Sequence, residues 1–204
     1  MITLDINEMF NEWKETLLSP RTAFPKMVKN ANLGAGIQHL VVGYLMYEIL
    51  TFIAATLIGK IMGGALGMSF GASFGLTKAV MGIIIGIVFG LISGGIIWVF
   101  AKLLGGTGSY GAQLHMTSAP LAFVLVLQGI FSFIPFVGLM IGVLISLYYL
   151  YPLTLAIKEA HNLSTLKALA AWILPIIIVF VLLAILAVIL GAALLGALGA
   201  ANQY

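Results

Sequence analysis

Hydrophobic residues make up 62% of the 204 positions, charged residues make up only 7%, and the formal net charge is +3. A soluble domain carries about a quarter charged residues, so this chain cannot cover a water-exposed surface and lipid must be its main solvent. The absence of cysteine excludes disulfides and thiolate metal sites.

The segment Asp5–Leu18 is predicted to form an amphipathic helix that ends at Ser19-Pro20. Apolar residues recur at helical spacing and acids line another face: Ile6, Met9, Phe10, Trp13 and Leu17 against Asp5, Glu8, Glu12 and Glu15. One interpretation is a helix lying in the membrane interface, with Trp13 at headgroup depth. The other is a docking helix for a partner protein, which the acidic face favours. A further expectation is that the acids pair with Arg21, Lys26 and Lys29.

Five apolar stretches are long enough to span a bilayer, which takes roughly 20 helical residues. They cover about Leu33–Gly59, Ala79–Leu104, Gln113–Phe133, Phe136–Ile157 and Ala168–Leu195. Pro135 makes the third and fourth spans a tight hairpin, because one helix over residues 113–157 would be far too long for one bilayer. The predicted fold is an all-α polytopic membrane bundle (33–204) preceded by a cytoplasmic amphipathic or interfacial segment (1–32).

The distribution of lysine and arginine predicts the orientation of the bundle. With five spans, seven basic residues fall on one side: Lys14, Arg21, Lys26, Lys29, Lys102, Lys158 and Lys167. Only Lys60 and Lys78 fall on the other side. The positive-inside rule therefore places the N-terminus in the cytoplasm and the C-terminus outside.

Two glycine ladders with a spacing of four are present. The ladder in the second span is predicted to be a flat strip where another helix packs closely: Gly82, Gly86, Gly90 and Gly94. A glycine-lined pore wall is the alternative. The other ladder lies between Lys60 and Lys78 and indicates an interfacial or re-entrant helix on the outer side: Gly63, Gly67, Gly71 and Gly75.

Glu48 is the one acid deep in a predicted span, and an acid at that depth should face protein rather than lipid. Gln128 lies at a comparable depth, and Pro152 frees the carbonyl of Tyr148 from its usual hydrogen bond. We expect Glu48 to carry its proton and to point inward, toward Gln128 or the Tyr148 carbonyl. A structural glutamate and a proton- or cation-handling role are the two interpretations.

A group of polar residues is predicted to lie at the cytoplasmic ends of the spans. We expect them to form one patch and the partner site: Gln38, His39, Tyr110, Gln113, His115, Glu159, His161 and Asn162. A metal site needs three or four converging ligands, and the histidine spacings match no known pattern, so no metal is expected. Ser164 is interpreted as the N-cap of the fifth span, and the basic residues, explained by topology, predict no nucleic-acid binding.

Several motifs together resemble the Yip domain family of Ypt/Rab-GTPase-interacting membrane proteins. Tyr110-Gly111 followed by Ala119-Pro120 resembles its tyrosine-glycine…proline signature. Trp13…Leu17-Leu18-Ser19-Pro20-Arg21…Phe24 resembles the pre-membrane segment of its prokaryotic branch. The hairpin turn and the loop before the last span also resemble the family: Ile134-Pro135-Phe136-Val137-Gly138, and Lys158-Glu159-Ala160-His161-Asn162-Leu163-Ser164-Thr165 with Lys167-Ala168.

The resemblance implies five spans with a cytosolic N-terminus. Eukaryotic relatives are implicated in vesicle traffic and bind prenylated small GTPases. This chain is similar to the short prokaryotic members, which have almost no N-terminal cytoplasmic domain and would lie in the cell membrane.

The expected function is a non-enzymatic membrane organiser or partner-binding scaffold without a cofactor, with a trafficking-like role by resemblance. Its expected partners are membrane lipids, a cytoplasmic protein and a second copy of the chain. The alternative is a small transporter or channel that uses Glu48, the glycine ladder and helices broken at Pro152 and Pro175.

Overall fold

The computed structural model describes the backbone of residues 5–66 and 72–201 and the side chains of residues 5–60 and 75–193. Within these ranges the chain forms seven α-helices in this order: α1 (Ile6–Leu18), α2 (Pro20–Met27), α3 (Leu33–Leu66), α4 (Ala72–Leu103), α5 (Tyr110–Phe131), α6 (Val137–His161) and α7 (Thr165–Ala201). The all-α architecture predicted from composition is confirmed.

Five of the described helices are long and apolar enough to cross a membrane. The spans are Leu33–Lys60, Gly75–Leu103, Tyr110–Phe131, Val137–His161 and Thr165–Ala193, which confirms the predicted number and the predicted positions to within a few residues. The tight hairpin is also present, because only residues 132–136 separate α5 from α6. Ser164 accepts a hydrogen bond from the Lys167 backbone N–H at 3.4 Å, as expected of the N-cap of α7.

The prolines expected to break helices lie inside continuous ones. Pro152 is within α6 and Pro175 is within α7. A proline removes one backbone hydrogen bond, but a helix tolerates this loss when neighbouring helices support it. The expectation of proline-broken helices is therefore corrected.

The second helix was not predicted. Pro20 occupies the first position of α2, where the missing N–H costs nothing, and Pro25 lies further along the same helix. The predicted end of α1 at Ser19 is confirmed, but the chain turns there and becomes helical again rather than leaving as a loop.

The helices α1 and α2 pack on the bundle instead of lying apart from it. Met9, Trp13, Phe24 and Met27 share one buried core with residues of α5 and α6. The Trp13 side chain has no exposed surface. The apolar face of α1 is therefore buried against protein, and Trp13 does not face the lipid headgroups as expected of an interfacial helix.

The helix α5 is the centre of the bundle and packs against α1, α3, α4 and α6. Its buried residues run along most of its length. By contrast, none of the most apolar stretch of α7 is buried, and the described part of that helix from residue 176 onward is exposed. In a membrane, these exposed apolar side chains face lipid.

The glycine strip of α4 lies against α3. A Cβ atom added at Gly82, Gly86 or Gly90 would meet the side chain of Glu48, Tyr44 or Leu40, respectively. These three α3 residues are also spaced by four, so each large side chain fits over one glycine of the antiparallel neighbour. Gly94 faces Leu114 and Tyr110 of α5. The strip thus packs helices of one chain.

The outer glycine ladder lies partly on the two long helices. Residues 61–66 continue α3, and residues 72–77 belong to α4. Residues 67–71, which include Gly67 and Gly71, lie outside the described residues. The prediction of a separate interfacial or re-entrant helix is therefore corrected: within the described ranges, these residues extend the two spanning helices.

Candidate functional site

The starts of α3 and α5 meet α1 at a cluster of one carboxylate and two imidazoles. Glu12 Oε2 lies 3.1 Å from His39 Nε2, and Glu12 Oε1 lies 3.2 Å from His115 Nε2. The two imidazole rings stack with centroids 5.0 Å apart. Both histidines are buried, whereas the Glu12 side chain keeps 21% of its surface exposed.

The protonation of both rings follows from what their other nitrogens contact. The indole N–H of Trp13 donates to His39 Nδ1 at 2.7 Å, and the backbone N–H of Asn32 donates to His115 Nδ1 at 3.3 Å. Neither donor can accept, so each Nδ1 must carry the lone pair. In each neutral ring the proton is then on Nε2, which faces Glu12.

The carboxylate of Glu12 therefore lies between two N–H groups. The N–H of His39 is poorly aligned with the carboxylate although the atoms are close, so that contact is electrostatic attraction rather than a full hydrogen bond. Burial would raise the pKa of Glu12, but the two imidazoles outweigh it and lower the pKa to about 2. Glu12 is thus charged at neutral pH and ties α1 to α3 and α5.

The same three side chains are of the types that bind metal ions. Their ligand atoms all lie within 4.8 Å of one another, although the histidine spacings match no known metal pattern. A histidine that binds a metal presents a lone pair to it and donates its other N–H to an acceptor. Here both Nδ1 atoms face donors. Metal binding at Nε2 would require both rings to lose their last proton, so the cluster fits a hydrogen-bonded carboxylate better than a metal.

A second buried network lies beside this cluster. Gln113 donates from Nε2 to the Gly94 carbonyl at 2.9 Å, so its Oε1 atom accepts from His161 Nε2 at 2.8 Å. The turn at 104–109 covers His161, and the Thr107 N–H donates to the His161 carbonyl. There is no room for a Cβ at Gly108, which lies against the Ala160 carbonyl. This glycine-rich segment is a packed turn.

The predicted polar patch is brought to one end of the bundle, but most of it is internal. His39, Gln113, His115 and His161 are buried. Tyr110 is half-buried and donates to the Leu91 carbonyl, and Gln38 and Glu159 are half-buried. Of this group only Asn162 is exposed; it ends α6 in the left-handed conformation. The prediction of one open patch is therefore corrected: most of these side chains belong to two buried networks.

Glu48 has a cationic partner that the sequence analysis did not anticipate. Lys78 Nζ lies 2.8 Å from Glu48 Oε2, and Thr51 Oγ1 is 3.4 Å from the same atom. The Glu48 side chain is buried, whereas 54% of the Lys78 side chain is exposed. These contacts correct the expectation that Glu48 points toward Gln128 or the Tyr148 carbonyl, and they remove the reason to expect an uncharged acid.

The other two predicted intramembrane residues contact different groups. Gln128 donates from Nε2 to Ser146 Oγ at 2.7 Å and to the Gly142 carbonyl at 3.3 Å. The Tyr148 hydroxyl donates to the Leu17 carbonyl at 3.0 Å, which joins α6 to the end of α1. Glu48, Gln128 and Tyr148 therefore do not form one site.

From the sequence, Glu12 and Trp13 are recognised as parts of an amphipathic helix but not as members of a polar cluster. The signal that could have distinguished them is position: Glu12 and Trp13 are adjacent, so they lie on the boundary between the polar and the apolar face. A boundary residue is half-covered when its helix docks, and a half-covered acid needs a donor. The donors, however, come from residues that are 27 and 103 positions away.

The fold and these contacts define a polytopic α-helical membrane protein whose N-terminal amphipathic helices dock on the bundle. The chain belongs to the Yip1 domain family, because the family model for the Yip1 domain matches residues 14–199. This match begins inside α1, one residue after Trp13, and ends within α7, so it includes the end of α1, α2 and all five spans. Comparison with curated proteins and with solved structures gives no match.

Proposed function

We propose that this Yip1-family membrane protein is a non-enzymatic scaffold that presents the outer face of α1 to a protein partner. The observation that carries the proposal is the docking of α1. Its apolar face is buried on the bundle and Glu12 fixes its position, so the remaining face is held rigidly at one end of the molecule. A rigid surface loses little entropy when it binds.

The exposed face of α1 has the chemistry of a binding surface for a basic segment. Glu8, Asn11 and Glu15 are exposed, and with Glu12 they line a groove of about 370 Å³ between α1 and α2. The carboxylates outnumber the single lysine of the groove, Lys26. Complementary charge speeds encounter and selects partners. A partner segment rich in lysine or arginine fits this groove.

The engagement of the described histidines supports a role without catalysis. The imidazole rings of His39, His115 and His161 contact Trp13, Asn32 and Gln113, respectively, and none of the described hydrogen bonds of these rings goes to a serine or threonine hydroxyl. A hydrolase would need a nucleophile and a base in contact. The proposal therefore assigns the polar networks to structure and the outer groove to binding.

The test is site-specific photo-crosslinking in native membranes. A crosslinker at Glu8 or Asn11 should capture a defined protein, and one at Phe136, an exposed residue of the α5–α6 hairpin, should not. Capture should be lost when Glu8 and Glu15 are replaced by lysine, and should persist when Lys14 on the same helix is replaced by glutamate. Equal capture from Phe136, or no effect of the charge reversal, would contradict the proposal.

The transporter interpretation has one observation in its favour, the buried Glu48–Lys78 pair. Charged groups within spans often mark ion pathways. However, Glu48 borders none of the three described cavities. The test is proton or cation flux into proteoliposomes. Flux that is present in the wild type and lost in a folded Glu48→Gln variant would favour a transporter over a scaffold.

A further inference from the structure

A cavity of about 410 Å³ lies where α2, the end of α6 and the start of α7 meet. Arg21, Tyr151, Lys158, Glu159 and Thr165 are among its lining residues. Its volume falls within the range of small-molecule sites, which is about 300–1,000 Å³. It shares no lining residue with the groove on α1, so it is independent of the function proposed above.

Arg21 is held in place at the wall of this cavity. Its Nε atom donates to the Tyr151 hydroxyl at 2.8 Å, and its guanidinium lies 5.9 Å from the centre of the Tyr151 ring. That hydrogen bond uses one of five N–H donors. The Tyr151 hydroxyl accepts this bond and keeps its own proton to donate. The pair thus presents several fixed donors and no negative charge.

The charges around the cavity leave an excess of one positive charge. Arg21 and Lys158 are cationic, and Glu159 is the one acid in the lining. Lys158 Nζ lies 3.3 Å from Glu159 Oε1, and roughly a third of each side chain is exposed. Partly exposed pairs of this kind contribute little to stability, so Lys158 can turn toward a stronger anion at small cost.

The cavity lies at one end of the spanning helices α6 and α7, where a bilayer would place lipid headgroups. It opens near the last three turns of α6 and at the first turn of α7, where both helices leave the apolar part of their spans. From Tyr151, an exposed apolar face runs down α6 through Leu147, Leu144 and Met140. These residues follow helical spacing over 11 positions, or about 17 Å, which is roughly half the hydrocarbon thickness.

We propose that the cavity binds the phosphate group of an anionic phospholipid, with an acyl chain along the α6 face. The Arg21 fork and Lys158 contact the phosphate oxygens, and the Tyr151 hydroxyl donates to a third oxygen. Planar guanidinium groups suit phosphate because they offer paired donors. Basic pockets between spans commonly take anionic headgroups. In a zwitterionic lipid the same phosphate is followed by an ammonium group, whose positive charge is repelled by Arg21 and Lys158.

Binding of defined lipids to the full-length protein in detergent tests the proposal by native mass spectrometry. Phosphatidylglycerol and phosphatidylcholine with identical acyl chains are titrated separately. The wild type should prefer phosphatidylglycerol by about tenfold, because the choline cation of phosphatidylcholine is repelled by the excess positive charge of the cavity. Arg21→Gln and Lys158→Gln should each weaken the binding of phosphatidylglycerol by about tenfold, because each removes one charge-assisted hydrogen bond to the phosphate. The matched control is Lys29→Gln, which removes an exposed charge outside this cavity.

Three outcomes would overturn the proposal. One is equal affinity of the wild type for both lipids. Another is a loss of phosphatidylglycerol affinity in Lys29→Gln that is as large as the loss in the cavity variants, since the affinity would then depend on net charge rather than on this cavity. The third is displacement of phosphatidylglycerol by inorganic phosphate at comparable concentration, which would identify a free-phosphate site. If Arg21→Gln does not fold, Lys158→Gln carries the comparison, because its side chain lies at the surface.

Discussion

Glu12 connects three separate segments of the chain through one side chain. Its two imidazole donors are on α3 and α5, and each donor is oriented by a further N–H group, from Trp13 or Asn32. Because Trp13 is adjacent to Glu12 on α1, the helix both supplies the carboxylate and fixes one of the rings that hold it. The arrangement makes the docking of α1 depend on a charged Glu12.

We predict that Glu12→Gln is less stable than the wild type at neutral pH and that this difference in stability disappears in acid. The folded-state pKa of Glu12, about 2, is below the ordinary value of 4.5, so its stabilisation is complete above pH 4.5 and is lost as the pH falls through 2. The shift corresponds to about 3 kcal/mol at most. Melting in detergent from pH 7 to 2 measures it.

The control for this experiment is Glu15→Gln, which removes an exposed acid from the same helix. It should leave the melting temperature unchanged at all pH values. A Glu12→Gln penalty that stays constant down to pH 2 would show that the carboxylate charge is not what holds α1.

The same melting experiment tests for a metal at the cluster. Chelation by EDTA would lower the melting temperature of the wild type if a metal were bound, and we expect that temperature to be unchanged.

The Glu48–Lys78 pair should respond unequally to the loss of each partner. Lys78→Gln leaves a buried carboxylate without its cation, which should cost about 1–3 kcal/mol. Glu48→Gln leaves a half-exposed ammonium that can reach water, which should cost about 1 kcal/mol or less. Unfolding of both single variants and the double variant measures the coupling. A larger loss for Glu48→Gln would contradict this assignment.

At the scale of helices, the close packing of α3 on α4 depends on side chains that alternate in size. Leu40, Tyr44 and Glu48 of α3 each cover one glycine of α4. Without a hydrophobic force between helices in lipid, such close approach supplies the attraction that holds them together. A side chain added to the strip must displace α3.

We predict that Gly86→Leu or Gly90→Leu destabilises the bundle by about 1–3 kcal/mol through overpacking. The matched control is Gly95→Leu on the same helix, because a Cβ atom at Gly95 meets nothing within 4 Å. Leucine has the higher helix propensity, so the control should be neutral or slightly stabilised. Thermal unfolding in one detergent compares the three variants, and equal behaviour of all three would show that the strip does not set the packing.

The long helices could be predicted from sequence because span length and apolar composition are local properties. The hairpin at Pro135 and the cap at Ser164 follow from local chemistry in the same way. The helix α2 was missed because two prolines in eight residues argue against a helix unless one of them occupies its first turn. The contact of Glu48 with Lys78 was missed because it depends on how α3 and α4 pair, which no local pattern specifies.

At the scale of the whole molecule, the polar groups are concentrated at the end of the bundle that carries α1. The Glu12 cluster, the Gln113–His161 network and the cavity at Arg21 all lie there. The opposite end carries the α5–α6 hairpin, whose Phe136 is 78% exposed. The sequence predicted that polar residues gather at one end. It could not predict that most of them are buried, because burial there results from the docking of α1 and from the turn over His161.

The asymmetry of charge between the two ends predicts that the α1 end faces the cytoplasm. Seven of the nine basic residues belong to that end. The chain has no cysteine, so single cysteines report position without background. Phe136→Cys should react with a membrane-impermeant maleimide added outside intact cells, since its side chain is exposed on the hairpin. Asn162→Cys, exposed on the α6–α7 loop, should react only after the membrane is permeabilised. The reverse labelling pattern would invert the bundle and place the α1 groove and the Arg21 cavity outside the cell. Labelling of both cysteines in intact cells would contradict an odd number of spans between these two ends.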